Sequence, residues 1–387
     1  MQPLDDITVL DLSLTLPGPY ATKLLMQLGA EVVSIEPPGG DALRHREPTL
    51  SDGRGELYER LNRGKRSIEV DLKTDEGRTF VQTVADEADV FVEGFRPGTA
   101  DSLGVGPETL CERNESLVYC SLSGYGQGGP REQQPGHALN YEGLAGLLDP
   151  ENPGMPRLPV SDFAGGTMLA LAVLAALRGR DRAGGGQYVD LGLFEVLASW
   201  NSWNLPWAAS SEQNRDHDPL VGGEYPCYNT YETADGRYLT LGIMEQKFWE
   251  TLCDRLDLPE LVDRKFETGG KDSEVYRKLQ TVFLERPLDA WVAEFSEEFP
   301  LAAVHTSEEA VTDPQLDARE RLFAFDARTG ETLREFEFPV TFSQESTRQS
   351  SPSAGDALER AGYGVERLHH LEQAGVLSDV DSRENQP

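Results

Sequence analysis

The 387-residue chain is long enough for two domains, and 38% apolar residues with 38 glycines and 24 prolines describe a globular protein rich in turns. It carries 67 Asp and Glu against 35 Lys and Arg, a net charge of −32. Such a charge repels nucleic acids and anionic membrane surfaces and argues against both as partners; acids spread evenly along the chain instead suit a halophile-like protein solvated in a salty cytoplasm.

The chain opens on a β-rich run, ITVLDLS (7–13), which LPGPY breaks. A helical stretch, YATKLLMQLGA, follows, and then a second strand, EVVSIEPP. Strand, helix and strand in that order imply a parallel pair joined by a crossover helix. SIEVDL (67–72), the helical EGRTFVQTVADEA and DVFVEGF (89–95) repeat the unit, and LVYCSLSGYG (117–126) adds a strand ending in a glycine-rich turn. The first 200 residues are expected to form an open α/β sheet, with ligands collecting where strands end. Beyond Trp200 the character changes. SSEQNRDHDP is a polar connector, NTYETADGRYLTLGI a hairpin turning on Ala-Asp-Gly, and helical patterns follow at 246–256 and 274–296. LREFEFPVTF is strand-like, GYGVERLHHLEQAGV helical, and the tail DSRENQP is expected to fray. The organisation expected is a large α/β domain over 1–200, a linker over 201–224, a small α+β domain over 225–325 and a C-terminal return over 326–387.

Four cysteines (Cys111, Cys120, Cys227, Cys253) form neither a CxxC pair nor a Cys/His cluster, so no zinc site or disulfide framework is expected. The N-terminus lacks a basic stretch followed by an apolar core, and no apolar run is read as a membrane span, which points to a cytoplasmic protein. No P-loop, GxGxxG or nucleophile elbow is present.

Three stretches carry chemistry. RLNRGKRSIEVDL gathers Arg60, Arg63, Lys65 and Arg66, and VEGFRPG sets Arg96 at a strand end; cations at such edges hold phosphates or simply balance acids. GHALNYEG contains His137, Asn140 and Tyr141, and LGIMEQKFW contains Glu245, each by itself as easily a surface histidine or a helix-start acid. SDFAGG places Asp162 before two glycines and about three turns of aliphatic residues. Ser161 or Asp162 could cap the helix; a carboxylate there, beside glycines that let a ligand approach, can equally act as nucleophile or base.

Taken in order over nearly the whole chain, LDLSLTLPGPYATKLLMQLGAEVVSIEPPGGD, LNRGKRSIEVDLKTDEGR, VFVEGFRPG, LVYCSLSGYGQGGP, GHALNY, SDFAGG, GGGQYVDLGLFE and YETADGRYLTLGIMEQKFW resemble the class III CoA-transferase family (the CaiB/BaiF type), which includes α-methylacyl-CoA racemases. The resemblance implies a Rossmann-like large domain with a parallel sheet, a smaller α+β domain and a homodimer of interlocked rings. It implies a CoA thioester as substrate, with no metal, no tightly bound cofactor and a small carboxylic acid as second partner. Arg63, Lys65 and Arg96 then fall near CoA phosphates, with Arg44, Asn62 and Tyr141 beside them. Asp162 falls on the catalytic aspartate, which in transferases carries the acyl group as an anhydride and CoA as a thioester. In racemases the same aspartate moves the α-proton, opposite a histidine and glutamate whose positions match His137 and Glu245.

Departures decide between the two chemistries. Ala138 stands where racemases carry an aspartate, GGEYPCY replaces a small apolar run, and only five methionines are present to line an acyl pocket. These favour a small polar acyl group, with His137 and Tyr141 holding its distal carboxylate. The expected reaction is CoA transfer from a donor such as succinyl-CoA to a branched C5 acid such as mesaconate or citramalate; the alternative is α-methylacyl-CoA racemisation.

Overall fold

Short runs of β-branched and aliphatic residues build the centre of the protein. In the computed structural model, which describes residues 2–210, 217–295, 298–343 and 356–379, strands β1 (Thr8–Leu12), β2 (Glu31–Glu36), β3 (Arg66–Val70), β4 (Val90–Glu93), β5 (Val118–Ser123) and β6 (Gln187–Gly192) run parallel in the order β3-β2-β1-β4-β5-β6. The C-terminal strand Leu377–Asp379 closes the β3 edge antiparallel. β1, β2, β4 and β5 are buried along their whole length, as expected when helices cover both faces of a parallel sheet.

On one face, helices Pro17–Gln27 and Val160–Ala183 pack Leu24, Leu25, Leu169 and Val173 onto Val9, Val118 and Cys120. On the other, helix Asp75–Ala85 sets Phe80, Val81 and Val84 against Phe91 and Tyr119, where the C-terminal segment adds Leu358 and Leu368. Each large apolar side chain so buried contributes about 1.5–3 kcal/mol relative to exposure. Strand order reverses between β1 and β4, the position beyond whose carboxyl ends open α/β sheets bind their ligands.

Two elements differ from the sequence expectation. Helix Pro17–Gln27 starts inside the LPGPY breaker, because a proline in the first helical turn lacks only an N–H that has no partner there. The helical pattern at 274–296 is two helices, Glu274–Phe283 and Leu288–Phe295, with Pro287 between them. Val160–Ala183 is also a correction: at 24 residues and mean hydropathy 1.8 it is the one described helix long and apolar enough to cross a membrane, although half of its apolar stretch is buried in the protein.

The chain divides into two compact units, Met1–Asn201 with Glu320–Pro387, and Ser202–Arg319. The first unit also contains the antiparallel pair Leu322–Asp326 and Thr332–Phe336. In the second, strands β7 (Tyr228–Glu232) and β8 (Tyr238–Gly242) form the expected hairpin, and β9 (Leu301–Ala303) joins β8. Its turn is held by Thr233 Oγ1 donating to Asp235 at 2.6 Å. Tyr231, Leu239, Trp249, Leu279 and Phe283 form a separate core. Residues 211–216 of the connector and the tail 381–387 lie outside the described residues.

Candidate active site

The long helix starts earlier than SDFAGG suggests. Its N-cap is Pro159, with no side-chain cap, and the Asp162 N–H donates to the Pro159 carbonyl at 3.1 Å. Neither Ser161 nor Asp162 caps the helix; both belong to its first turn. Instead the Ser161 hydroxyl donates to Asp162 Oδ1 at 3.1 Å. The glycines also have a role other than the expected one. A Cβ on Gly165 would meet Leu193 Cδ2 at 2.1 Å, and one on Gly166 would meet the Pro17 carbonyl oxygen at 2.5 Å. They admit neighbouring protein, not a ligand: Gly166 seats the long helix against the start of Pro17–Gln27, where Tyr20 meets the Phe163 ring edge-on. Asp162, one turn before Gly166, is thereby placed beside the start of the helix that follows β1.

A second short helix, Ala138–Leu144, completes the surroundings. His137 precedes it, exposed, with its N–H donating to Asn140 Oδ1 at 3.0 Å. Tyr141 turns inward and packs its ring edge-on against Tyr125 at 5.2 Å. Glu142 is 1% exposed; its Oε1 accepts the Ser161 N–H at 3.4 Å and its Oε2 has no partner among the described residues.

Charge ties these groups together. Burial raises the Asp162 pKa, the Ser161 hydrogen bond opposes this, Glu142 adds to it and His137 opposes it. The Tyr141 phenol is pushed up to about 12, by burial first and then by Tyr125 and Asp162, while Arg96 acts the other way. Asp162, His137, Glu142, Tyr141 and Arg96 therefore form one electrostatic cluster. A half-buried carboxylate with a neutral donor on one oxygen can act as a nucleophile or a base.

The other predicted cations lie elsewhere in this unit. Arg44 is buried and paired bidentately with Glu36 (Nε–Oε2 2.6 Å, Nη2–Oε1 2.7 Å), its guanidinium 4.2 Å over the Tyr58 ring. Lys65 is buried as well: its ammonium donates to Thr22 Oγ1 at 2.8 Å and the Pro19 carbonyl at 3.0 Å, with Asp11 at 3.4 Å. Burial lowers its pKa, against the attraction of Asp11. Asn62 Nδ2 donates to the Tyr58 carbonyl at 3.2 Å. Arg63 is exposed and lies 4.2 Å over the Phe325 ring.

Arg44, Asn62, Arg63 and Lys65 line one narrow cleft of about 60 Å³ together with Arg54 and Arg328. Arg96 and Tyr141 belong with Asp162. Glu245 is carried by the other unit, exposed at the N-cap of helix Gln246–Arg255. No group of three metal-ligating side chains occurs among the described residues.

Glu142, Arg54, Arg328 and the Phe325 platform were not singled out from the sequence. Glu142 is one more acid in an acidic chain, and a seven-residue helix has too few turns to show which face is buried. Phe325 and Arg328 come from the Glu320–Pro387 part of the first unit, far along the chain from Arg63, so only the fold brings them together.

Comparisons with known proteins give a consistent picture. Residues 4–357 match the model of the family described as CoA-transferase family III. The chain is 33% identical to the succinyl-CoA:mesaconate CoA-transferase of Haloarcula hispanica, covering 97% of each. It is 35% identical to human alpha-methylacyl-CoA racemase over 74% of each chain. Among solved structures, a CAIB/BAIF family protein from Brucella suis superposes with a TM-score of 0.78 at 27% identity, covering 94% of this chain and all of that one.

Proposed function

Because the chain belongs to CoA-transferase family III, we propose that it moves CoA from a small acyl-CoA such as succinyl-CoA to a short branched dicarboxylic acid such as mesaconate or citramalate, with Asp162 as covalent carrier. The observation that carries this reading is the Asp162 carboxylate itself: half-buried, held by Ser161 on one oxygen, and beside His137. Its nucleophilic attack on the thioester expels CoA thiolate and leaves a mixed anhydride. Thiolate then displaces the donor acid from Asp162, the acceptor acid displaces the thiolate, and a last thiolate attack frees the new acyl-CoA. Splitting one exchange between two poor partners into four displacements on an activated carbonyl is what covalent catalysis contributes.

In this reading CoA phosphates meet Arg63 and Arg96, the two exposed cations of the expected set. Arg44, Asn62 and Lys65 shape the cleft wall, since Arg44 already neutralises Glu36 and Lys65 already pairs with Asp11. Tyr141 and His137 flank the acyl group and hold its distal carboxylate. The active form is a homodimer of interlocked chains. Leu171 (58% exposed) and Trp200 (49% exposed) are apolar surface that a second copy would cover. A cytoplasmic location suits the four free cysteines.

One observation favours a second reading. His137 is close enough to act electrostatically on Asp162, against the rise that burial causes, as an acid–base pair flanking an α-carbon requires. That reading is α-methylacyl-CoA racemisation by Asp162 opposite His137, with Glu245 supporting the histidine. Incubation with succinyl-CoA and mesaconate, and separately with a 2-methylacyl-CoA in D₂O, separates them. Mesaconyl-CoA without α-deuteration is the expected result; α-deuteration without transfer would overturn it. His137→Ala is expected to raise KM for succinyl-CoA, through the lost contact to the distal carboxylate, while transfer stays measurable, whereas a racemase would lose nearly all of its activity.

A further inference from the structure

We infer that the Ser161 hydroxyl is the oxyanion donor for attack at the carboxyl carbon of Asp162 itself, an inference that rests on the transferase reading above. Ser161 has no exposed surface, so no water competes for its proton. Its hydroxyl makes the one side-chain hydrogen bond to the Asp162 carboxylate among the described residues. The two oxygens of Asp162 therefore differ: Oδ1 is tethered, and Oδ2 is left for chemistry.

Following the atoms shows when the tether matters. Oδ2 attacks the thioester carbonyl, the C–S bond breaks, and CoA leaves as thiolate. Oδ1 is now the carbonyl oxygen on the aspartyl side of the anhydride. Thiolate attacks Cγ; as the S–Cγ bond forms and the Cγ–Oδ2 bond breaks, Oδ2 departs within the donor acid's carboxylate. The acceptor carboxylate then attacks Cγ and expels the thiolate. In both attacks at Cγ the tetrahedral carbon places its negative charge on Oδ1, 3.1 Å from Ser161 Oγ. The first and last steps place it on a substrate oxygen instead. Two of the four displacements thus depend on Ser161.

The surroundings make that donor necessary. Glu142 is buried next to the site, accepts the Ser161 N–H, and acts against a second negative charge at Asp162. An oxyanion on Oδ1 develops in that field beside the fully buried Ser161 hydroxyl, a fixed donor that counts for more than one in solution. Before each attack at Cγ, Oδ1 is a neutral carbonyl oxygen, a weaker acceptor than the oxyanion it becomes, so a donor fixed at this place binds the transition state more strongly than the ground state. Racemisation forms no tetrahedral centre on Asp162 and has no use for the arrangement.

The test compares full-length wild type, Ser161→Ala and Ser161→Thr. Steady-state transfer from succinyl-CoA to mesaconate gives kcat and KM; acid-quenched single turnovers with succinyl-CoA alone, read by peptide mass spectrometry, identify the group on Asp162. Loss of one oxyanion donor is expected to lower kcat by about 10²–10³-fold, with KM for succinyl-CoA little changed. The wild-type aspartyl-CoA adduct should give way to the succinyl anhydride in Ser161→Ala, and Ser161→Thr should recover most of the rate. A Ser161→Ala enzyme within threefold of wild type, or with an unchanged adduct, overturns the inference while leaving the transferase reading intact. Should alanine prevent folding, Ser161→Cys, with a weak donor of similar volume, carries the same comparison, and unimpaired transfer by it overturns the inference. Wild type that forms neither mesaconyl-CoA nor aspartyl-CoA overturns both.

Discussion

Burial is the main cause lifting the Asp162 carboxyl above the usual carboxylate range; the Ser161 hydrogen bond pulls it back, and Glu142 and His137 act in opposite directions. In the proposed transfer the anion is the reactive form, so the acid limb of the pH–rate profile should fall above the ~3.9 of an ordinary aspartate, with activity rising as pH rises through it. Stability runs the opposite way. With a folded pKa above the unfolded one, this group's stabilising contribution is complete below the unfolded pKa and is lost as pH rises through the folded pKa. Near neutral pH the ionised aspartate thus costs stability. Asp162→Asn should be inactive yet more stable by about 1 kcal/mol in urea unfolding at pH 7, and no gain there would show the site to be unstrained. Asp162 was legible in the sequence because an acid before two glycines and an aliphatic run breaks the local pattern. Ser161 was legible only as a capping residue, since its role depends on which oxygen its hydroxyl faces.

At the scale of elements, the site depends on how closely two helices approach. Gly166 lies against the backbone of Pro17 and Ala21, which cannot move aside, whereas Gly165 faces the tip of Leu193, which can. Gly166→Ala should therefore cost about 1–3 kcal/mol and lower kcat by displacing Asp162, with Gly165→Ala the milder of the two in both chemical unfolding and turnover. Equal effects would mean that glycine's backbone freedom, not packing, is what matters. The same sheet edge shows why cation clusters mislead when read from sequence alone. RLNRGKRS is a run of positive charge, yet alternation and helix termination send Lys65 inward to Asp11 and Thr22 while Arg63 points out over Phe325.

For the whole molecule, the dominant quantity is the net charge of −32. Like charges this numerous repel over ~10 Å in 0.1 M salt but only ~3 Å at 1 M, so the folded state is favoured by salt. The melting temperature should rise steadily from 0.1 to 2 M KCl, and full stability in dilute buffer would contradict the reading of the acids as adaptation to salt. The sequence by itself determined the alternation of strand and helix, the parallel sheet and the choice of Asp162 as the candidate carboxylate, because hydrophobic period and short motifs are properties of neighbouring residues. Only the tertiary structure decided that Glu142 and Ser161 meet at Asp162, that Arg96 joins them, that Lys65 is buried, and that Arg328 and Phe325 reach the Arg63 cleft. Those pairings follow from strand register and helix packing, which bring together residues that no local pattern connects.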